Sequence, residues 1–181
     1  IFTKPAFVTS RQTSFTAKSA ATTQAGMWDP YGLAYDASGQ RLFVTDTSNS
    51  RITVFDARPA GSPSLTACGT KTNGLVNGMK ASCVLGQAKF TTRKQTATQS
   101  GMYFPYSVVY DEASQRLFVD NSAVNRVLVY NLRKGITNGM LAAKVLGQQN
   151  FTGKASAATM SGMWNPDGLA YDASNQRLFV V

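Results

Sequence analysis

One stretch of sequence occurs three times in this 181-residue chain, and its copies align without a gap. The copies read GMWDPYGLAYDASGQRLFV at Gly26–Val44, GMYFPYSVVYDEASQRLFV at Gly101–Val119 and GMWNPDGLAYDASNQRLFV at Gly162–Val180. Recurrence of this kind is typical of repeat proteins, in which no unit can bury its apolar face without a neighbour. The chain is therefore predicted to fold as a row of similar units.

The flanks of the repeated stretch also recur. VLGQQNFTGKASAATMS at Val145–Ser161 aligns with VLGQAKFTTRKQTATQS at Val84–Ser100, and TDTSNSRITVFD at Thr45–Asp56 aligns with DNSAVNRVLVYN at Asp120–Asn131. The first unit carries an additional segment between Asp56 and Leu75. These alignments indicate one domain, 1–181, with repeat units at approximately 9–83, 84–144 and 145–181.

Each complete unit contains the signals for four short strands. In the first unit these are GLAYD at Gly32–Asp36, RLFV from Arg41, RITVF at Arg51–Phe55 and VLGQ from Val84. Small polar turn residues separate the first two strands, and the strands are apolar at consecutive positions, as in sheets that are covered on both faces. Four-stranded units stacked face to face are the blades of a β-propeller. The predicted fold is all-β, with about two and a half blades present.

The same residues resemble a known family, the NHL repeat. The resemblance lies in P-x-G-L-A-x-D followed by R-L-F-V-x-D-x-x-x-x-R-I-x-V-F, found at Pro30–Asp36 with Arg41–Phe55 and at Pro105–Asp111 with Arg116–Tyr130. The chain departs from the family in the turn after the second strand, where Ser48 and Ala123 replace the usual glycine, and at Asp120-Asn121, which replaces the commoner small residue followed by Asp. The resemblance implies a propeller, most often six-bladed, that serves mainly as a binding platform and sometimes as an enzyme. We therefore expect a fragment of a six-bladed ring, completed by further blades or by further copies.

Composition limits the chemistry that the chain can perform. It has 18 Lys and Arg against 9 Asp and Glu, a formal net charge of +9, and no His. Some NHL-like propellers are lyases with a zinc ion held by His, a role for which this chain has no residue. Calcium-dependent hydrolysis on related propellers needs inward carboxylates that the sequence does not indicate. We expect no enzyme activity, no catalytic residues, no metal and no cofactor, and we find no apolar run long enough for a membrane span.

Acidic and basic residues recur with the repeat. Asp36, Asp111 and Asp172 end the first strand of each unit, where they either cap their own hairpin turn or form a ring of carboxylates around a cation. Capping is the preferred interpretation, because a residue present in every blade usually serves the blade. The arginines that recur in the same way are expected to buttress neighbouring blades through hydrogen bonds to carbonyls or carboxylates and not to contact a ligand; they are Arg41, Arg51, Arg116, Arg126 and Arg177.

The other basic residues are segregated from the acids. No acid lies between Asp56 and Asp111, a stretch that contains Lys89, Arg93 and Lys94 together with Arg58, Lys71 and Lys80. If these side chains cluster, they form a rim that could bind a polyanion such as RNA, a ligand known within the family. The alternative is a solvated basic edge that protects an outer strand from pairing with other chains.

Strand parity places the loop before each first strand and the turn after each second strand on the same side of the propeller. This side combines aromatic, acidic and basic residues, so a ligand surface is predicted here. Its candidate residues are Lys18, Trp28, Asp29, Asp46, Arg93, Lys94, Tyr103, Tyr106, Trp164 and Asp167. For the aromatic residues before the first strands, packing between blades is the preferred alternative to stacking on nucleic-acid bases.

The two cysteines, Cys68 and Cys83, both belong to the unit with the additional segment. A disulfide is expected to staple this segment, and two buried free thiols are the alternative. A disulfide indicates an oxidising environment, so the protein is predicted to be secreted or on a cell surface. The leading function is a non-enzymatic binding or scaffolding propeller for a protein or a glycan ligand, and the alternative is polyanion or RNA binding.

Overall fold

A computed structural model describes residues 19–62, 68 and 74–181. It contains two four-stranded antiparallel sheets and a two-stranded sheet, in which each strand pairs with the next along the chain. Blade 1 comprises β1 (Pro30–Asp36), β2 (Arg41–Asp46), β3 (Arg51–Asp56) and β4 (Cys83–Leu85). Blade 2 comprises β5 (Val108–Asp111), β6 (Arg116–Asn121), β7 (Arg126–Asn131) and β8 (Lys144–Leu146), and blade 3 comprises β9 (Leu169–Asp172) and β10 (Arg177–Val180).

The predicted all-β fold of four-stranded propeller blades is confirmed. Helical structure among the described residues is limited to two short 3-10 turns, Thr47–Asn49 and Ser122–Val124, which join the second and third strands. The second strand of blade 1 is longer than the RLFV motif, because Thr45 and Asp46 also pair with β3. The further outer strand that the sequence suggests near Thr9–Gln12 lies outside the described residues.

Apolar side chains on both faces of the blades form the core. Phe43, Ile52 and Val54 of blade 1 pack into one cluster with Val108 and Val119 of blade 2. The residues that correspond to the first three, Phe118, Val127 and Val129, form the next cluster with Leu169, Leu178 and Val180 of blade 3. Each middle strand therefore needs apolar residues at consecutive positions, which explains the pattern in the sequence.

The VLG motif has a steric basis in the contact between consecutive units. Gly86 adopts a φ of +85°, and a β-carbon at this position would lie 2.7 Å from the sulfur of Met102. Gly147 has the corresponding conformation, φ +82°, against Met163. Only glycine allows both the backbone conformation and the close approach of the methionine from the following entry loop.

The recurring arginines support the blades. Arg51 donates through Nη2 to the carbonyls of Thr23 and Gly26, both at 2.9 Å, and through Nη1 to Phe90. Arg126 repeats this pattern with the carbonyls of Thr98, Gly101 and Phe151. Each of these two side chains is fully buried and joins the loop before the first strand of its blade to the loop after the fourth strand. The predicted hydrogen bonding to carbonyls is observed for these two residues, but the bonds support one blade and its flanking loops and do not link neighbouring blades.

The recurring aspartates cap their hairpin turns, as preferred from the sequence. Asp36 accepts a hydrogen bond from the Gly39 amide at 2.8 Å and forms an ion pair with Arg41. Asp172 accepts hydrogen bonds from the amides of Ser174 and Asn175 at 3.0 and 3.2 Å. Asp36 and Asp172 are therefore engaged within their own blades, whereas Asp111 also accepts a hydrogen bond from the Tyr171 hydroxyl of blade 3 at 2.9 Å.

The predicted disulfide is present. Cys68 and Cys83 are joined at an S–S distance of 2.03 Å, with their α-carbons 5.5 Å apart. Cys83 is a fully buried residue of β4, and Cys68 packs against the cluster between blades 1 and 2. The bridge therefore anchors the additional segment of the first unit to the outer strand of its blade.

One face of blade 1 remains open among the described residues. Leu33 on this face is 64% exposed, and the apolar groove around it has a volume of about 420 Å³. The groove is lined by Met27, Pro30, Tyr31, Leu33, Leu42, Val44, Phe55, Leu75 and Met79. By the repeat, this face corresponds to the face of blade 2 that packs against blade 1, so its shape and chemistry suit contact with another blade.

Candidate binding face

The loop before the first strand and the turn after the second strand meet on one side of blade 1. The amide of Trp28 donates to Asp46 Oδ1 at 2.7 Å, and the amide of Thr47 donates to the Asp29 carbonyl at 3.3 Å. In blade 2 the Tyr103 amide makes the corresponding bond to Asn121 Oδ1 at 2.6 Å. We call this side the entry face; it comprises residues 27–31, 46–50, 89–94, 102–107, 120–125 and 163–168.

Several predicted ligand residues lie exposed on the entry face. Trp28 is 40% exposed, and the guanidinium of Arg93 stacks 4.9 Å from the centre of its ring. Trp164 is 77% exposed, so the packing role considered for it from the sequence is not observed. Asp29, Lys94 and Asp167 are exposed as well, whereas Lys18 lies outside the described residues.

The predicted tyrosines are half-buried and belong to aromatic pairs. Tyr103 contacts Phe104 at a ring-centre distance of 4.9 Å. Tyr106 packs edge-to-face against Tyr31, with ring centres 5.1 Å apart and an interplanar angle of 86°. Tyr31 itself is 63% exposed and joins the loop of blade 1 to that of blade 2. The sequence pattern did not single out Tyr31, although it aligns with Tyr106.

Asp46, unlike the exposed candidate residues, is buried beneath the entry face. Its side chain is fully buried and accepts a hydrogen bond from Arg51 Nε at 2.6 Å, within an ion pair. Asn49 also donates to both of its carboxylate oxygens. Burial raises the pKa of Asp46, against the opposing effect of Arg51. Asp46 thus organises the turn beneath the entry face and is inaccessible to a ligand in this structure.

Blade 2 carries different polar residues at the two positions that end the second strand. Asn121 takes the place of Asp46, and an aspartate, Asp120, takes the place of Thr45. As a result, Arg126 Nε and Asn121 Nδ2 have no hydrogen-bond partner within the described part of the chain. Burial lowers the pKa of Arg126 to about 10, since no carboxylate offsets its loss of hydration.

Asp120 is the least expected group on the entry face. Its side chain is fully buried, Oδ1 accepts a hydrogen bond from the Tyr106 amide at 2.7 Å, and Oδ2 has no partner among the described residues. Burial, together with the negative charge of Asp167 and against backbone hydrogen bonds, raises the pKa of Asp120 to about 7. In the sequence, this site is marked only by an aspartate, Asp120, at the position where the first unit has a threonine, Thr45.

Several acidic groups influence the pKa of Tyr106. Burial raises its pKa first, and the charges of Asp167, Tyr31, Asp29 and Asp120 raise it further. Three aspartates from three successive units therefore act on a single tyrosine. This part of the entry face is acidic in a chain whose formal net charge is +9.

The basic residues form a separate region. Lys89 and Lys94 line a cavity of about 310 Å³ together with Thr92, Gly86 and Gly139. Arg58 does not belong to this region, because its side chain is buried and forms an ion pair with Asp56. Lys71 lies outside the described residues.

Two kinds of feature are absent from the described residues. They contain no group of three or more His, Cys, Asp or Glu that could hold a metal ion. Among these residues there is also no helix with the length and apolar character needed to cross a membrane.

These blades, with their recurring strands and turns, define a β-propeller chain. The family model of the NHL repeat matches residues 27–55, which comprise the entry loop and first three strands of blade 1. The predicted resemblance to NHL-repeat propellers is thereby confirmed, and NHL propellers commonly mediate protein interactions. No curated protein sequence matches the chain.

Solved structures with a similar fold are longer than this chain. A chain of the nidogen/laminin complex is 16% identical, with a TM-score of 0.44, over 83% of this chain and 38% of that chain. A putative 6-phosphogluconolactonase from Bacteroides uniformis is 12% identical, with a TM-score of 0.42, over 84% of this chain and 33% of that chain.

Proposed function

We propose that this chain is a non-enzymatic binding platform that holds a protein partner on its entry face. The observation that supports this proposal is the exposure of large aromatic side chains there, namely Trp164 at 77%, Tyr31 at 63% and Trp28 at 40%. Tryptophan and tyrosine are enriched at protein interfaces, where they bury much area at little conformational cost. The neighbouring charged residues, Asp29, Arg93 and Asp167, would then give the contact its specificity.

The disulfide supports a location outside the cytoplasm. Structural disulfides persist in oxidising compartments and are rare where thiols are kept reduced. The bridge between Cys68 and Cys83 lies in the structural core and not at the candidate face, which is consistent with a structural role. We infer that the protein acts in a secreted form or at a cell surface, where a glycan is a further possible ligand.

The open apolar face of blade 1 is a second surface suited to contact, in this case with another blade. Its groove repeats the apolar surface by which blade 2 packs against blade 1. We infer that another blade covers it and that the ring is completed by further blades or by further copies, in a six-bladed arrangement.

Site-specific photo-crosslinking tests the binding platform. A benzophenone amino acid at position 164 should capture a discrete set of extracellular or surface proteins, because Trp164 is a strongly exposed aromatic residue of the entry face. The matched control carries the same group at Ala173, an exposed residue in the hairpin turn on the opposite side. Excess unlabelled chain should compete for capture, and a Trp28→Ala/Trp164→Ala chain should not. Identical adducts from both positions would refute the proposal.

A second candidate function is binding of a polyanion such as RNA. The observation in its favour is the cavity that brings Lys89 and Lys94 together beside Arg93. Neutralised phosphates release counterions, so binding should weaken steeply as salt increases, and Lys89→Ala/Arg93→Ala/Lys94→Ala should flatten that dependence. No measurable affinity for single-stranded RNA at about 50 mM salt would exclude this function.

A further inference from the structure

One surface motif of the chain has no role in the candidate binding face. Asn150-Phe151-Thr152 is the only Asn-x-Ser/Thr tripeptide, with x other than Pro, in the 181 residues. This tripeptide is the acceptor sequence for N-linked glycosylation in secreted proteins, where it lies in surface loops. Whether it can accept an oligosaccharide depends on where its side chains lie in the fold.

The loop that carries the motif follows β8 and is held from within. Gln148 Nε2 donates to the carbonyl of Ala155 at 2.7 Å. Phe151 packs against the apolar cluster between blades 1 and 2. Asn150 and Thr152, on either side of this phenylalanine, are both exposed. The middle residue of the motif therefore anchors the loop, while the two residues that define the motif lie on the surface.

Asn150 and Thr152 contact each other directly. Asn150 Oδ1 accepts hydrogen bonds from the Thr152 hydroxyl at 2.9 Å and from the amides of Thr152 and Gly153 at 3.0 and 2.9 Å. Asn150 Nδ2, the atom to which a sugar is attached, makes no hydrogen bond to the residues that the structure describes. The oxygen of this side-chain amide is thus engaged by the loop, whereas its nitrogen is left for another partner.

The exposure of Asn150 does not depend on its place near the last described blade. The repeat places Lys89 at the corresponding position, in the loop that follows β4. That loop lies between two four-stranded blades, and Lys89 is nevertheless exposed. Neighbouring blades therefore leave this position open, so a large substituent on Asn150 has room in a longer row of blades as well.

We propose that Asn150 is an N-glycosylation site, with a lipid-linked oligosaccharide as the sugar donor and an oligosaccharyltransferase as the enzyme. Asn150 Nδ2 attacks the anomeric carbon of the first sugar and forms the new C–N bond. The bond from that carbon to the pyrophosphate oxygen breaks, the lipid pyrophosphate leaves with the electron pair, and Nδ2 releases one proton to a base of the enzyme. This inference rests on the proposed location outside the cytoplasm and is independent of the partner on the entry face.

Secretion of the full chain from cultured mammalian cells, behind a cleavable signal peptide, tests the proposal. Mass spectrometry should find an oligosaccharide on Asn150, and peptide N-glycosidase should remove it and leave aspartate at this position. Asn150→Gln and Thr152→Val should abolish the modification, whereas Thr152→Ser should retain it, because serine keeps the hydroxyl. Since Thr152→Val preserves the shape of the side chain, its effect separates recognition of the hydroxyl from packing.

Lys89→Asn provides a matched control in the corresponding loop. It creates the same tripeptide with Phe90 and Thr91, at a position that lies between two complete blades. This variant should carry two oligosaccharides. A single oligosaccharide, on Asn150, would contradict the argument from the repeat.

The other outcomes separate the modification from the location. A secreted chain with the bridge between Cys68 and Cys83 and an unmodified Asn150 would overturn the inference and leave the proposed location intact. A modified chain that no longer unfolds cooperatively would overturn it too, because the loop would then not tolerate the oligosaccharide. An oligosaccharide on Asn150 of a chain whose two thiols are free would uphold the inference and refute the disulfide on which the location rests.

Discussion

Asp120 should make the folded chain less stable as the pH rises from about 4 to about 7, and Asp120→Asn should abolish this loss. The carboxyl group is fully buried between blades 2 and 3, with Oδ2 lacking a partner among the described residues. A protonated Oδ2 can donate a hydrogen bond, as Thr45 Oγ1 does to the Tyr106 carbonyl of the following blade. By the repeat, the corresponding acceptor is the carbonyl of Asp167. Asparagine can make the same donation at every pH.

The magnitude follows from the rise in the pKa of Asp120, from 3.8 to about 7, which burial causes in the folded state. The folded chain therefore binds the proton more tightly than the unfolded chain. The resulting stabilisation is complete below about pH 4 and is lost as the pH rises to about 7. Each tenfold difference in proton affinity corresponds to about 1.4 kcal/mol, so the loss amounts to roughly 4 kcal/mol for this one group.

Urea unfolding between about pH 4.5 and pH 8 provides the assay, with the free energy of unfolding compared at each pH. The difference between Asp120→Asn and the unaltered chain should grow with pH in favour of the variant. Asp120→Thr, which installs the residue of blade 1, should behave in the same way. A difference that stays constant with pH, or that grows in favour of the unaltered chain, would refute the reasoning.

Three further perturbations test other parts of the structure by the same unfolding measurement. Asn121→Asp should stabilise the chain by about 2 kcal/mol, because it offers the buried Arg126 Nε a carboxylate. The reverse change in blade 1, Asp46→Asn, should destabilise the chain. An Asn121→Asp variant that is no more stable than the unaltered chain would contradict the argument. Cys68→Ser should cost about 3 kcal/mol by releasing the stapled segment; two alkylated thiols in the unaltered chain without reductant would show that no bridge forms. Burial of Asp111 is outweighed by hydrogen bonds from Ser114 and neighbouring groups, which lower the pKa of Asp111 to about 2. The stabilisation of the folded chain by this carboxylate should therefore disappear as the pH falls below about 4. Asp111→Asn should lack this pH-dependent stabilisation, and an identical acid transition in that variant would refute the prediction.

The sequence by itself determined the blades. Strand pairing and turn capping depend on neighbouring residues, so copies such as GLAYD and RLFV mark the same hairpin wherever they occur. The roles of Asp36 and Arg41 were predictable for the same reason, because the two residues lie five positions apart on paired strands and meet directly across them. The NHL resemblance rests on this local pattern as well.

Only the tertiary structure decided which polar groups on the entry face are accessible. Asp46 is buried because Arg51 and Asn49 surround it, whereas Trp164 is exposed. The pKa of Asp120 depends on its burial and on Tyr106 and Asp167, residues that approach it from other parts of the chain. A periodic pattern specifies which face of a strand is apolar, but the hydration of a single carboxyl group depends on distances between blades. Those distances arise only when the blades pack together.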